Sequence, residues 1–425
     1  MNVLLLGSGG RECALARKLR QSQSLSNLYI APGNGGTLEY GKNLAIAATD
    51  FPAIENFCIE NAIDILICGP EQPAVAGIWD YFQKQELKYI QVVAPSQKSS
   101  MLEGSKSFAK EFMAKNKIPT AQYLEITKDN IAHAYQWFDE KSPPYVIKAD
   151  GLAEGKGVVL PESKDEARKL IDEFILDRKF GASSAKVVLE EFLDGLEFSV
   201  FIYTNGQQYA ILPNAKDYKR RFEGNKGLNT GGMGCISPVP FVDKTLMEQV
   251  ENQVIKPTIQ GLQKDEMPYT GFIYFGLILC QGQAKVIEYN CRLGDPETEV
   301  ILPLMDCDLL ALFHAGFSNQ LESFNPEISH QSASTVMLVS EGYPEAYQKG
   351  FPITGIENVH QANVFHAGTT IKDFQLVTNG GRVLAVTGLG ENLKEALFNS
   401  YDAIERIRFN GMQFRADIGF EFEGN

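Results

Sequence analysis

The chain has 425 residues, enough for two to four domains that each bury a core. Its 44% hydrophobic and 22% charged residues are those of a soluble globular protein, and a net charge of −14 excludes a general nucleic-acid binder, which needs a basic surface. No run reaches the ~18–20 apolar residues of a membrane span, and the seven cysteines show no C-x-x-C spacing, so reduced thiols are expected rather than disulfides or zinc.

MNVLLLGSGG begins with a strand and shows no basic leader pattern, so a cytoplasmic location is expected. Residues 2–6 form an apolar run ended by glycine, the pattern of a strand buried on both faces. A helical pattern follows in RECALARKLRQS. Strand-like LYIAP, helical AIENFCIENA, strand-like DILICGPE, helical GIWDYFQKQ and strand-like YIQVVAPS continue the alternation. Strand–helix–strand units of this length predict a parallel sheet over residues 1–103.

The loop after the first strand reads Gly7-x-Gly9-x-x-Glu12. It lacks the third glycine of the dinucleotide fingerprint, and the second strand lacks the acidic residue that would follow it. A dehydrogenase is therefore disfavoured. Backbone N–H groups at a helix start still suit an anion, with Arg11 as an added charge, so the phosphate of a substrate is the preferred ligand. A tight strand-to-helix turn that needs glycine is the plainer alternative.

From residue 104 the texture changes. SKSFAKEFMAKNKI reads as an amphipathic helix, and PYVIKAD, KVVLEEFLDG and EFSVFIYTNGQQYAILP as strands, the last folded at its Asn-Gly. Residues 214–238 read as loop. A second hairpin, GFIYFGLILC-QGQ-AKVIEYN, precedes RLGDPETEV. Beyond 328 the short strands SASTVMLVS, NVFHAGTTI and GGRVLAVTGLG and the helix ENLKEALFNSYDAIERI predict a third, mixed α/β unit over 329–425.

The stretch KADGLAEGKGVV, residues 148–159, is not a P-loop: Asp150 stands where the first glycine belongs, and Gly157 where Ser or Thr would hold magnesium. It reads instead as a strand delivering Lys148 and a glycine-rich flap carrying Lys156, with Lys106 opening the upstream helix. Three such lysines can cradle a polyphosphate. Glu191, Phe192 and Leu193 end an apolar strand that can offer backbone groups to an adenine edge. Glu288 and Asn290, at i and i+2 on a strand, share a face and suit magnesium beside nucleotide phosphates. Arg292 extends that face toward a developing charge. Singly, each also has a plain reading as a solvated lysine or a hydrogen-bonded sheet residue.

The order of these pieces resembles the ATP-grasp superfamily and, within it, the phosphoribosylamine–glycine ligase family. GSGGRE, IAPGNGGT, GPEQP, LEGSKSF, VIKADGLAEGKGVV, EEFLDG, NTGGMG, YTGF, VIEYNCRLGDPETE, FHAGT and VTNGGRV carry the resemblance, in order from residue 7 to residue 383. It implies an α/β chain: an N-terminal parallel-sheet (pre-ATP-grasp) domain, 1–103; a two-lobed ATP-grasp domain, 104–328, with a lid at about 121–190; and a C-terminal α/β domain. It implies ATP held by Lys106, Lys148, Lys156, Glu191, Phe192, Leu193 and Glu197, the last on the ribose, and Mg2+ (or Mn2+) on Glu288 and Asn290. The phosphoribosylamine would lie against Gly9, Gly10, Arg11, Glu12 and Glu71. Asp217 and Arg292 would serve glycine and the acyl phosphate, making Arg292, Lys148 and Asp217 the catalytic set.

The implied reaction joins glycine to 5-phosphoribosylamine with ATP, in a monomer or weak dimer without nucleic-acid or membrane partners. Three places depart from the family pattern: Cys13 replaces a histidine, Lys216 and Tyr218 replace glutamine and histidine, and Lys226-Gly227-Leu228 replaces a Thr-Gly-Pro turn. They are expected near the acceptor and keep open another ATP-grasp amide ligase with a different carboxylate or amine.

Overall fold

The computed structural model describes residues 1–151, 157–179 and 186–422. Lys156 and most of the glycine-rich flap lie outside the described residues.

The apolar runs of the first hundred residues form parallel strands Asn27–Pro32, Asn2–Gly7, Ile65–Cys68 and Gln91–Pro95 in that spatial order. Val3, Leu4, Leu5 and Leu6 are fully buried because helices cover both faces of this sheet. The sheet does not stop there. Pro95 and Ala94 pair with Tyr269 and Thr270 at the start of the long strand Tyr269–Cys280, which pairs with Leu196–Thr204 and Gln283–Asn290. One nine-stranded sheet thus runs from the first domain into the floor of the centre. The Asn205-Gly206 turn folds Leu196–Thr204 onto Tyr209–Ile211, with Gly206 at a φ of 82° that a side chain would strain.

A separate four-stranded antiparallel sheet, ordered Tyr123–Ile126, Val187–Glu190, Val146–Ala149, Val158–Val159, makes the second lobe of the centre. Period-two alternation divides its side chains. Ile147, Ala149, Val187 and Leu189 pack against the helices Ile131–Glu140 and Lys164–Ile175, together with Phe138 and Ile171. Each large apolar side chain so buried contributes about 1.5–3 kcal/mol. The same alternation sends Lys148 and Glu190 to the opposite face, into the cleft between the lobes.

The C-terminal sheet is ordered Lys216–Asp217, Gly234–Ser237, Ser332–Ser340, Arg382–Gly390, Ala362–His366. Its first two strands come from the 214–238 stretch that reads as loop. They are too short to show a period, and only pairing with the distant strand Ser332–Ser340 makes them visible. The stretch also folds back on itself as the hairpin Arg220–Phe222 and Lys226–Asn229.

Candidate active site

Two lysines meet in the cleft by two routes. Lys106 starts the helix Lys106–Lys115, whose N-cap Ser105 accepts from Phe108 N–H. Asp150, at the end of the lid strand, accepts from Ser107 N–H at 2.7 Å and from Ser105 Oγ at 3.0 Å, so it ties that strand to the helix start. Lys106 Nζ donates to the Gly151 carbonyl at 3.2 Å. Lys148 Nζ lies 2.9 Å from Glu190 Oε1 and donates to the Ile287 carbonyl at 3.3 Å. That carbonyl is free because Gly276 pairs with Glu288 and Leu277 with Val286, which leaves Ile287 as the extra residue of a bulge.

Beyond the bulge, Glu288 and Asn290 face the cleft while Tyr289 between them is buried. The Asn290 side chain makes no hydrogen bond among the described residues, and Glu288 faces Lys219 Nζ at 3.7 Å. Burial alone would raise the Glu288 carboxyl, but Lys219, Lys148 and Lys106 outweigh it and hold it below the ordinary range. A carboxylate kept ionised beside an unpartnered amide oxygen on one strand face fits a small hard cation.

Lys219 was not legible as a site residue. Its Nζ lies 4.0 Å from both Glu197 and Asp217, in addition to Glu288. The charge of Asp217 raises its pKa well above the lysine norm. Burial raises Asp217, with Glu197 and Glu288 adding to it, against the pull of Lys219. Once the strand Lys216–Asp217 is known to pair with Gly234–Ser237, alternation puts Asp217 and Lys219 on the cleft face together.

The same alternation turns Lys216 and Tyr218 away from the cleft. Tyr218 Oη donates to Glu421 at 2.7 Å, Lys216 Nζ lies 3.5 Å from the same carboxylate, and Arg415 stacks over the Tyr218 ring. Cys13 is fully buried, and its sulfur accepts from His366 N–H. Burial pushes that thiol up to about 12. Lys226 lies on the exposed hairpin. Lys216 and Tyr218 thus brace the C-terminal unit, whereas Cys13 stays next to Glu12 in the glycine loop and helix start. Tyr218→Phe should lower stability by about 1 kcal/mol through the lost hydrogen bond and leave every KM unchanged; thermal melts and steady-state kinetics check both.

The seam between the first domain and the centre is lined by paired charges. Arg292 reaches Glu103 at 2.9 Å and Glu71 at 3.4 Å. Burial would raise Glu71, but Arg292 and Arg11 hold it low. Glu103, which sequence reading missed, also accepts from Cys291 N–H at 2.7 Å. In the glycine loop, Glu12 accepts from Gly9 N–H at 2.6 Å and from Arg11 Nε at 2.7 Å, while Arg11 also donates to the Leu293 carbonyl at 3.1 Å. The N–H of Arg11 is taken by Asp295 at 3.2 Å. The helix start thus faces internal carboxylates, and the buried Arg11 guanidinium acts on its surroundings through Glu12. A side chain at Gly10 would meet the Glu299 carboxylate, which would have to shift to admit it.

Arg382 and Glu297 complete the seam, and Glu191 and Glu197 lie where the lid strand Val187–Glu190 leads to the floor strand Leu196–Thr204. Arg382, from the C-terminal sheet, pairs with Asp295 at 3.0 Å and donates to its carbonyl at 2.7 Å. Glu297 is buried, and burial with the charge of Asp217 lifts its carboxyl to about 7. Glu191 Oε1 accepts from Gln122 N–H at 2.9 Å, fixing the segment that leads to the exposed Phe192 and to Leu193. Glu197 stands exposed at the start of the next strand.

Models of three domains match the chain in order: the phosphoribosylglycinamide synthetase N domain over 1–103, its ATP-grasp (A) domain over 104–298 and its C domain over 333–421. The phosphoribosylamine–glycine ligase of Neisseria meningitidis serogroup A is 44% identical over 98% of both chains. The human trifunctional purine biosynthetic protein adenosine-3 is 42% identical over 98% of this chain and 42% of its own. The crystal structure of phosphoribosylamine–glycine ligase from Thermotoga maritima superposes with a TM-score of 0.86 at 34% identity, covering 98% of this chain and all of the other.

Proposed function

Because the chain belongs to the phosphoribosylglycinamide synthetase family, whose ATP-grasp fold it shares over nearly its whole length, we infer that it ligates glycine to 5-phosphoribosylamine. ATP is consumed, and glycinamide ribonucleotide, ADP and phosphate are formed by way of glycyl phosphate, a step of purine biosynthesis. The observation that carries this reading is the meeting of Lys106, Lys148 and Lys219 with Glu288 and Asn290 in one cleft that opens onto the Arg292 seam. Lys216 and Tyr218, two of the departures that kept another amide ligase open, turn from that cleft toward Glu421.

The chemistry follows from the charges. Glycine's carboxylate oxygen attacks the γ-phosphorus of ATP, ADP leaves, and the carboxyl becomes an acyl phosphate. Lys106 and Lys148 grip the phosphates from the lid side, and Lys219 faces them from the floor, where positioning and charge compensation supply most of the acceleration. We assign adenine to the segment Glu191–Leu193, the ribose to Glu197, and a further phosphate contact to Lys156. Glu288 and Asn290 would hold Mg2+, or Mn2+, which when bound neutralises phosphate charge. Asp217 and Arg292 orient glycine and its acyl phosphate. The amine of phosphoribosylamine then attacks the carbonyl carbon, the new C–N bond forms and phosphate departs.

The acceptor is proposed to lie against Gly9, Gly10, Glu12 and Glu71, with Arg11 holding Glu12 in place. Arg11→Ala should raise KM for the amino sugar about tenfold by letting Glu12 shift and leave KM for ATP nearly unchanged; the opposite order would move the acceptor site. We further propose the domain division 1–103, 104–328 and 329–425, a monomer or weak dimer, and a cytoplasmic location without nucleic-acid partners. Among the described residues no helix is long and apolar enough to cross a membrane. ADP release measured with glycine, alanine or formate, with and without freshly generated phosphoribosylamine, tests the whole reading: release independent of glycine, or no amide by mass spectrometry, overturns it.

A further inference from the structure

We propose that Lys110, which faces neither nucleotide nor acceptor in the reading above, is a positioning residue that frees Lys148 to grip phosphate by neutralising Glu190 from behind. The proposal rests on the assignment of Lys148 to the nucleotide. Lys110 Nζ lies 3.0 Å from Glu190 Oε2, while Lys148 Nζ lies 2.9 Å from Glu190 Oε1. The three side chains are almost sealed from solvent, at 2%, 4% and 6% exposure for Lys110, Glu190 and Lys148. Lys110 also donates to Thr120 Oγ1 at 2.8 Å, and that hydroxyl donates to the Val286 carbonyl at 2.7 Å. Lys110 is therefore anchored to the strand that carries Glu288, on the far side of the carboxylate from the cleft.

Local geometry makes this arrangement specific. Lys110 follows Lys106 by one helical turn, so both project from one face of the helix. The first reaches the flap and the second passes beneath the lid sheet. Glu190 sits on a central strand of the lid sheet, paired on both sides with Tyr123 and Val146, and its buried carboxylate meets both ammonium groups.

The consequence concerns charge. When Lys148 turns from Glu190 toward a phosphate, a sealed carboxylate with no other counter-ion would be stranded, which is heavily unfavourable. With Lys110 in place the carboxylate keeps one ammonium throughout, and nucleotide binding exchanges one partner of Lys148 for another. Burial brings the Lys110 pKa down to about 8, and the charge of Glu190 is the main pull against that fall.

The test is a charge-removal cycle on the full chain: Lys110→Met, Glu190→Gln and the double variant, assayed for kcat and for KM of ATP and of glycine. Lys110→Met should lower kcat/KM for ATP about 30-fold or more, a placement effect, with KM for glycine unchanged. Removing the stranded charge should rescue it, so the double variant should exceed Lys110→Met by about tenfold. A purely structural lysine would give additive losses. A double variant no better than Lys110→Met, or a Lys110→Met enzyme within threefold of the parent, overturns the proposal. Should Lys110→Met fail to fold, the double variant, in which nucleotide phosphate becomes the counter-ion of Lys148, is expected to fold with ADP present and to gain thermal stability from it; its failure to do either also overturns the proposal. Lys148→Ala is assayed alongside. Undiminished ADP release there overturns the nucleotide assignment itself, whereas its loss combined with an unaffected Lys110→Met overturns only the role of Lys110.

Discussion

Lys148→Ala is expected to cut glycine-dependent ADP release about 100- to 1,000-fold, the usual loss when one preorganised group on a developing charge is removed. Lys148 is delivered by a strand whose alternate residues are locked in the lid core, so its ammonium has only to exchange Glu190 for phosphate when nucleotide arrives. Alanine keeps the strand pairing and leaves Glu190 paired with Lys110 at 3.0 Å, so the variant should still fold. A coupled assay with a thermal melt on the same preparation separates the two effects. Normal turnover in a folded variant would remove Lys148 from the nucleotide site.

Glu288→Gln is the second large effect. The substitution keeps the shape and removes the charge that Lys219, Lys148 and Lys106 hold ionised. The magnesium concentration for half-maximal activity should rise about 10- to 100-fold, with a smaller change in KM for glycine. Lys219 retains Glu197 and Asp217 as neighbours, so the floor of the cleft should keep its structure. Titrations of activity against magnesium at saturating ATP are the measurement, and an unshifted midpoint would count against Glu288 as a ligand.

The N-terminal sheet was legible because parallel strands covered on both faces are written as unbroken apolar runs such as Val3–Leu6. The ATP-grasp order was legible because its motifs are local and follow one another along the chain. What escaped the sequence is long-range. Lys110 and Glu190 are eighty residues apart, and nothing near either one announces the other, although the one-turn spacing from Lys106 was a usable hint. Arg382 reaches Asp295 only once the C-terminal sheet has docked. The substitutions at Lys216 and Tyr218 were misplaced because a two-residue strand, Lys216–Asp217, shows no period of its own. Its partner Gly234–Ser237 had to be known before its faces could be told apart.

That short strand has a wider effect. The segment bearing Asp217 and Lys219 is stitched to Gly234–Ser237, and through it to Ser332–Ser340, so two groups of the proposed catalytic floor hang from the edge of the last domain's sheet. The C-terminal unit is therefore not an appendage that can be trimmed while phosphoryl transfer continues. Cutting the chain near residue 330 would unmoor both side chains, and heating should melt the floor and the terminal sheet in a single calorimetric peak.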